Sequence, residues 1–321
     1  MELIKYFLKL PFITKLLQDK QQNKLSSGYL FHSLDASSNA FAVTALAMTL
    51  LCKKSGCFSC ENCIKILKNS HPDVLYYPKE KAFSVFDAKD IIEQAYKKPM
   101  IANFKIIIIN GIDNSSIEAQ NKLLKIIEEP PKNVFFLITT SNLDKVLQTI
   151  KSRLLKIKVP CFSLDEIKEI FDSFRNNENY SLAITYGQGY VGKTLEILKN
   201  ENYLAIYEFC KEIVIHLKQS SQIINFLNEK IDKDKFIIIL TILSSFYRDL
   251  LMLLCNQDYL VVDKDLIKDF AEIKKEFSIN SVIKIINLIN QINEKRFSNV
   301  SLNLLFETML VKILEVKFRC K

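Results

Sequence analysis

The sequence predicts an α/β domain built on a parallel sheet, followed by a long all-helical C-terminal half. Three observations carry that prediction. Residues 105–138 read strand, helix, strand, and both strands, IIII at 106–109 and VFFLI at 134–138, are continuous apolar runs. A strand without polar alternation is one covered on both faces. The order strand, helix, strand implies a right-handed parallel crossover, which makes this stretch the middle of a doubly wound sheet. From about Tyr203 to the C-terminus the pattern turns helical with few breakers.

Residues 1–17 are apolar, but Lys5 and Lys9 interrupt them and no small-residue cleavage site follows. An amphipathic first helix is therefore expected in preference to a secretory signal. GYLFH at 28–32 reads as the first strand, and SLDASSNAF after it as a strand-to-helix turn. Next come Cys52, Cys57, Cys60 and Cys63, spaced C-x4-C-x2-C-x2-C. Four thiolates this close can surround one tetrahedral zinc. Two disulfides, disfavoured in a reducing compartment, or an iron–sulfur cluster would use the same residues. With four protein ligands no coordination position stays open for catalysis, so a metal here would staple a loop. Cys161, Cys210, Cys255 and Cys320 are scattered and expected to be mostly core residues.

His71, Pro72 and Asp73 precede VLYY, a second strand, with His71 read as a turn or packing histidine. Residues 87–102 follow as a helix ended near Pro99. After the strand at 106–109, Ser115 and Glu118 have capping-box spacing, and Leu123, Leu124, Ile126 and Ile127 form one apolar helical stripe. Pro130 and Pro131 stop that helix. Thr139, Thr140 and Ser141 close the next strand as a hydrogen-bonding cluster, and residues 143–151 form a helix ending at Ser152 and Arg153. In nucleotide-hydrolysing sheets of this kind the strand ending at Ile109 would finish in Asp to hold magnesium, often with Glu to orient water. Here those positions are Asn110 and Gly111, which can do neither.

At 321 residues the chain is long for a single core, and nearly half its residues are apolar, so two or three globular domains are expected. The longest apolar runs, 236–240 and 250–255, fall far short of the roughly 20 residues a membrane helix needs. No membrane helix and a cytoplasmic location are therefore expected. The net charge of +8 suits a DNA-facing or acid-facing surface, and a Lys-, Ile- and Asn-rich composition accounts for it equally well. Only six glycines occur, so only residues 187–192 could supply a Gly-rich phosphate cradle.

The segment EAQNKLLKIIEEPPKNVFFLITTS, followed by TIKSR, resembles the AAA+ clamp-loader subunits of bacterial DNA polymerase III. Within that family it is most similar to the delta-prime branch, with the ATP-using gamma/tau subunits as near relatives. The resemblance implies an AAA+ core with a structural zinc module over 1–160 (the module about 52–63), a helical lid over 161–203, and a helical collar over 204–321. Aligned with the family's phosphate loop, Ser33, Ala36 and Ser38 replace glycines, Asn39 replaces the lysine and Ala40 the magnesium-binding hydroxyl. The resemblance thus implies a subunit that binds no ATP. Ser152 and Arg153 stand where the family's S-R-C motif sends an arginine into the neighbouring subunit's ATP site; the third residue here is Leu154. The implied partners are the gamma/tau ATPase subunits, the delta subunit, the beta sliding clamp and, in the assembled complex, primer-template DNA.

Residues 187–194, GQGYVGKT, satisfy the phosphate-loop pattern GxxxxGK[ST] in full. An active ATPase using Lys193 and Thr194 is therefore the alternative reading, and residues 182–186 could serve as its strand. Against it, the chain after 200 reads helical, and Tyr190 and Val191 are bulky for a backbone wrapped around phosphate. The resemblance offers a lid helix–turn–helix opened by Lys193 instead. A third reading is a zinc-stapled nucleic-acid binder.

Overall fold

The computed structural model describes residues 2–22, 24–80, 82–295 and 300–319. The chain divides into two compact units, Met1–Arg175 with Gly187–Leu195, and Asn176–Tyr186 with Glu196–Lys321. Residues 161–203 are thus shared between them.

The first unit is the predicted α/β domain. Its opening stretch forms two helices where one was expected, α1 (Glu2–Phe7) and α2 (Pro11–Gln21). Pro11 sits at the first position of α2, and Leu10 before it is extended, at φ −68° and ψ 144°. Proline has no N–H to continue a helix and pushes its predecessor out of the helical region. Strand β1 (Gly28–His32) leads into α3 (Ala36–Leu51), which is buried along most of its length because it is apolar nearly all round. The last carbonyls of α3 are satisfied from outside the helix: Lys20 Nζ donates to Thr49 O at 3.2 Å and Leu50 O at 2.8 Å, and Asn62 Nδ2 to Leu51 O at 2.9 Å. The chain then passes through the cysteine loop into α4 (Glu61–Leu67) and β2 (Val74–Tyr77).

Helix α5 (Val85–Tyr96) starts two residues earlier than expected, at a capping box formed by Ser84 and Asp87, and ends before Pro99. Strand β3 (Lys105–Ile109) is buried throughout. Helix α6 (Ile117–Glu128) is capped by Ser116, whose hydroxyl accepts from Ala119 N. The expected cap, Ser115, instead donates to Ile112 O at 2.5 Å, closing a 3-10 turn at Ile112–Asn114. Strand β4 (Val134–Thr140) runs two residues longer than predicted. The single helix expected over 143–151 is a 3-10 turn (Leu143–Lys145) and a short α7 (Gln148–Lys151), with Val146 extended between them. Gln120 on α6 explains the break: its Nε2 donates to Lys145 O at 3.0 Å and its Oε1 accepts from Leu147 N at 2.9 Å, replacing the bonds a continuous helix would make. Strand β5 (Leu155–Lys158) and α8 (Leu164–Ile170) follow.

All pairings are parallel and the strand order is β2-β3-β4-β1-β5. His32 at the end of β1 lies opposite Thr140, and Ile109 at the end of β3 opposite Ile138, so the ends of three strands share one edge. This five-stranded parallel sheet, flanked by helices, is the expected α/β architecture.

The second unit is all helical. It contains α9 (Tyr180–Tyr186), the end of α10 (Val191–Lys199), α11 (Tyr203–His216), α12 (Ile223–Leu227), α13 (Lys233–Leu254), α14 (Ile267–Ile273), α15 (Ile279–Lys295) and α16 (Leu302–Arg319). Residues 182–186 are therefore helix, not strand. Phe246 on α13 centres an aromatic cluster with Tyr207 and Phe270, their ring centroids 5.4 and 5.7 Å away. Beside it Asp263 accepts from the hydroxyls of Tyr186 at 2.7 Å and Tyr207 at 2.8 Å, and fully buried Asp249 accepts from Val262 N and Asp263 N. By length and composition α13 could cross a membrane, which the short apolar runs within it concealed. Half of that apolar stretch is buried, and α13 packs against α11 and α15 as the bundle's axis.

The H-P-D sequence proves to be a loop organiser. The Asp73 carboxylate accepts from three consecutive amides, Met100 at 2.6 Å, Ile101 at 2.8 Å and Ala102 at 2.8 Å. His71 is buried and its Nδ1 accepts from Asp73 N at 3.1 Å, so it packs and turns, as expected. Burial works to raise the Asp73 carboxyl, and the three N–H donors outweigh it, holding the group below the usual range. Its contribution to stability is therefore present above the unfolded value near pH 4 and lost as pH falls through the lower folded one. Asp73→Asn is expected to cost about 2 kcal/mol or more at pH 7. Denaturant unfolding of both proteins across pH should show that gap narrowing below about pH 4.

Candidate functional site

The four clustered cysteines form the first site. Their sulfurs all lie within 4.8 Å of one another. Cys52 Sγ and Cys60 Sγ are 3.7 Å apart, against an edge of about 3.8 Å for a tetrahedron with zinc–sulfur bonds near 2.3 Å. Backbone amides point at the sulfurs: Lys54 N and Cys57 N approach Cys52 Sγ at 3.3 and 3.5 Å, and Cys60 N approaches Cys57 Sγ at 3.3 Å. Ser59 Oγ donates to Cys57 Sγ at 3.4 Å, and with the amides of Ser59 and Cys60 it pulls the Cys57 thiol down to about 5. Burial pushes Cys60 and Cys63 the other way. Four thiolates side by side in this setting need a cation to neutralise them, and the donor set fits zinc. Of the remaining cysteines, Cys210 is buried as expected, whereas Cys161 and Cys255 are exposed. Cys320 lies outside the described residues.

The second site is the edge of the sheet where a nucleotide's phosphates would sit in an active relative of this fold. Asn39 is fully buried; its Nδ2 donates to Thr140 O at 2.9 Å and its Oδ1 accepts from Ser33 Oγ at 2.9 Å. Ser38 is buried too, while Ala36 and Ala40 offer no side-chain polar group. Gly111 N donates to Thr139 Oγ1 at 2.9 Å, and Ser141 donates through Oγ and N to Asp113, so the predicted cluster at the end of β4 is present. Asn110 joins its neighbour strand through its amide, to Tyr77 O at 2.8 Å, and its buried Oδ1 has no partner among the described residues.

What composition did not single out is Asp35, between Ser33 and α3. It is the N-cap of α3, and its carboxylate accepts from Ser37 N and Ser38 N, each at 3.2 Å, and from Ser38 Oγ. It also accepts from Gly192 N at 2.9 Å. An N-cap aspartate before a helix was legible locally; its partner 157 residues away was not.

That partner belongs to the GxxxxGK[ST] match, and the structure accounts for Gly189, Gly192, Lys193 and Thr194. Helix α9, not a strand, precedes it. Gly189 has φ +80°, and a Cβ there would lie 2.3 Å from Phe162 O. A Cβ on Gly192 would lie 2.5 Å from both Asp35 carboxylate oxygens and 2.4 Å from Ser37 Cβ, so only glycine permits this approach. Lys193 Nζ sits 4.8 Å from the centre of the Tyr190 ring, and Thr194 Oγ1 donates to Tyr190 O at 2.9 Å.

Arg153 lies just after α7 on a separate set of contacts. Its Nη1 donates to Thr149 O at 2.9 Å and its Nη2 to Glu128 Oε2 at 3.0 Å, with the side chain about a third exposed at 31%. Ser152 Oγ donates to Thr149 O at 3.1 Å. Glu128, at the end of α6, was not marked by the sequence reading as a partner of Arg153.

A family model described as "DNA polymerase III, delta subunit" matches residues 9–163. Over its whole length the chain is similar to DNA polymerase III subunit delta' of Bacillus subtilis, 23% identical and covering 95% of this chain and 96% of that one. Over 50% of this chain and 45% of that one, it is 28% identical to DNA polymerase III subunit gamma of Buchnera aphidicola. Among solved structures, a gamma subunit-related protein from Thermotoga maritima covers 94% of this chain and 99% of its own, at 16% identity and a TM-score of 0.46. The family model spans a little under half of this chain, and the chain is similar to gamma and delta' subunits of DNA polymerase III. The similarity to the Bacillus subtilis delta' subunit runs along nearly the whole of both chains.

The purified chain is expected to carry one zinc per molecule by atomic absorption, and removing it with a chelator should lower the thermal midpoint by roughly 5 °C or more. Cys57→Ser should lose the metal, and Cys161→Ser should keep it.

Proposed function

We propose that this chain is a non-catalytic subunit of the DNA polymerase III clamp loader, a scaffold that lends Arg153 to a neighbouring subunit's ATP site and assists loading of the sliding clamp. The observation that carries the reading is the sheet edge itself. Where ATP would need an ammonium, a hydroxyl for magnesium and a carboxylate, there are Asn39 with its amide consumed internally, Ala40 and Asn110. None of these offers a positive charge or a metal ligand of the required kind, so the chain binds no ATP of its own.

Arg153 suits the complementary task. A guanidinium is permanently charged and can engage two phosphate oxygens at once. Its surface ion pair with Glu128 is of the kind worth about 1 kcal/mol or less, so it is easily exchanged for a phosphate. In this reading residues 1–160 are the core with its zinc-bound cysteines, 161–203 the lid and 204–321 the collar. The partners are the gamma/tau ATPase subunits, the delta subunit, the beta clamp and primer-template DNA, and the setting is the cytoplasm. The full-length similarity to the Bacillus subtilis delta' subunit supports this assignment.

The competing reading, an active phosphate loop at 187–194, is disfavoured by the helix before it, by Gly192 N already donating to a carboxylate, and by Lys193 lying over Tyr190.

Two measurements test the proposal. In a loader reconstituted with its gamma/tau and delta partners, Arg153→Ala should leave assembly intact and cut ATP turnover at the dependent site by about a thousandfold; unchanged turnover refutes the finger. Titration of the isolated chain with a fluorescent ATP analogue should show no micromolar binding, and Lys193→Ala should not alter the result.

A further inference from the structure

Two helices in the first unit aim their unsatisfied amides at one point. The first four N–H groups of any helix lack partners inside it and carry the positive end of the helix dipole. At the start of the 16-residue α3 those of Ser37 and Ser38 are directed at Asp35, and at the start of the 9-residue α10 that of Gly192 is directed at the same carboxylate. The side chain is nearly sealed, with Asp35 only 4% exposed. Gly192 N also reaches Ser38 Oγ at 3.4 Å, so the hydroxyl that donates to Asp35 is part of the same junction. The lack of a Cβ at residue 192 is what allows α10 to come this close.

A helix start after the first strand of such a sheet is a ready anion seat. We infer that Asp35 is a resident anion: its carboxylate occupies the seat between α3 and α10, holds residues 187–195 against the α/β core, and closes the seat to phosphate. The chain thus carries internally, and permanently, the negative charge that an exchangeable phosphate would otherwise supply. The inference goes beyond the absence of ATP, because it names the group that fills the place and the segment it holds.

The test replaces Asp35 in the full-length chain. Asp35→Ser keeps a good N-cap while emptying the seat, Asp35→Ala empties it without a cap, and Asp35→Asn fills it without charge. Thermal midpoints are measured in sodium phosphate against sodium chloride at matched ionic strength. Phosphate stabilises folded proteins generally, so the wild-type shift is subtracted. The Ser and Ala variants are expected to show an additional, saturable rise of roughly 4 °C or more when phosphate is about a hundredfold above half-saturation, and the Asn variant none. Amide exchange at Gly192 should be at least about tenfold faster in Asp35→Ser than in wild type, and should slow again in phosphate. A Ser variant indifferent to phosphate, a wild type with the same saturable rise, or Gly192 exchange unchanged by the substitution overturns the inference. Binding of ATP by the wild type would instead overturn the nucleotide-free reading, so the two failures are distinguishable.

Discussion

The amides at the start of α3 need an acceptor, and the way that need is met shapes the rest of the first unit. Strand β1 ends at the sheet edge and turns at once into a helix whose interior is apolar nearly all round. Such a helix cannot be moved toward solvent, so its exposed polar ends must be dealt with in place. At the C-terminal end the acceptors are taken by Lys20 and Asn62. At the N-terminal end the donors converge on Asp35. Once a carboxylate is fixed there, a second set of helix donors can dock on it, and residues 187–195 become part of the α/β unit despite lying beyond Arg175.

The same logic accounts for the neutral lining of the sheet edge. Asn39 reaches between Ser33 and Thr140, tying the loop after β1 to the end of β4, while Gly111 is tied to Thr139 across to β3. Here the amide of Asn39 spends its hydrogen bonds on the protein, which stabilises the edge and leaves no charge to compete with Asp35. A lysine at 39 would bring a positive group to a place where the helix ends already supply it.

Much of this could be read from the sequence, and the boundary between what could and could not be is physical. Continuous apolar runs gave β3 and β4, prolines gave the end of α6, and spacing gave the cysteine cluster, because each depends on residues near one another in the chain. The errors came where a distant side chain overrode a local pattern. Gln120 on α6 breaks the helix expected over 143–151 by satisfying its backbone from outside. The cap of α6 moved from Ser115 to Ser116 because a 3-10 turn after Gly111 claimed the earlier serine. Pro11, at the first position of α2, divides it from α1 by a purely local effect. The Arg153–Glu128 pair and the Asp35–Gly192 contact span 25 and 157 residues, distances over which no periodicity speaks.

The GxxxxGK[ST] match shows how a motif can be complete in letters and differ in cause. A phosphate loop needs glycines so that its backbone can wrap an anion, then a lysine to meet the charge. In this chain Gly192 is required because α10 must approach Asp35, Gly189, at one of the pattern's open positions, because its backbone packs against Phe162, and Lys193 rests on Tyr190. Glycine is selected by close approach in both settings, and a lysine near a helix start is common enough to complete the pattern. The anion that Gly192 faces is real, but it is a carboxylate of this chain, delivered by β1 from the other end of the domain. The pattern thus places a glycine beside a negative charge, and in this structure the charge that Gly192 meets is the Asp35 carboxylate.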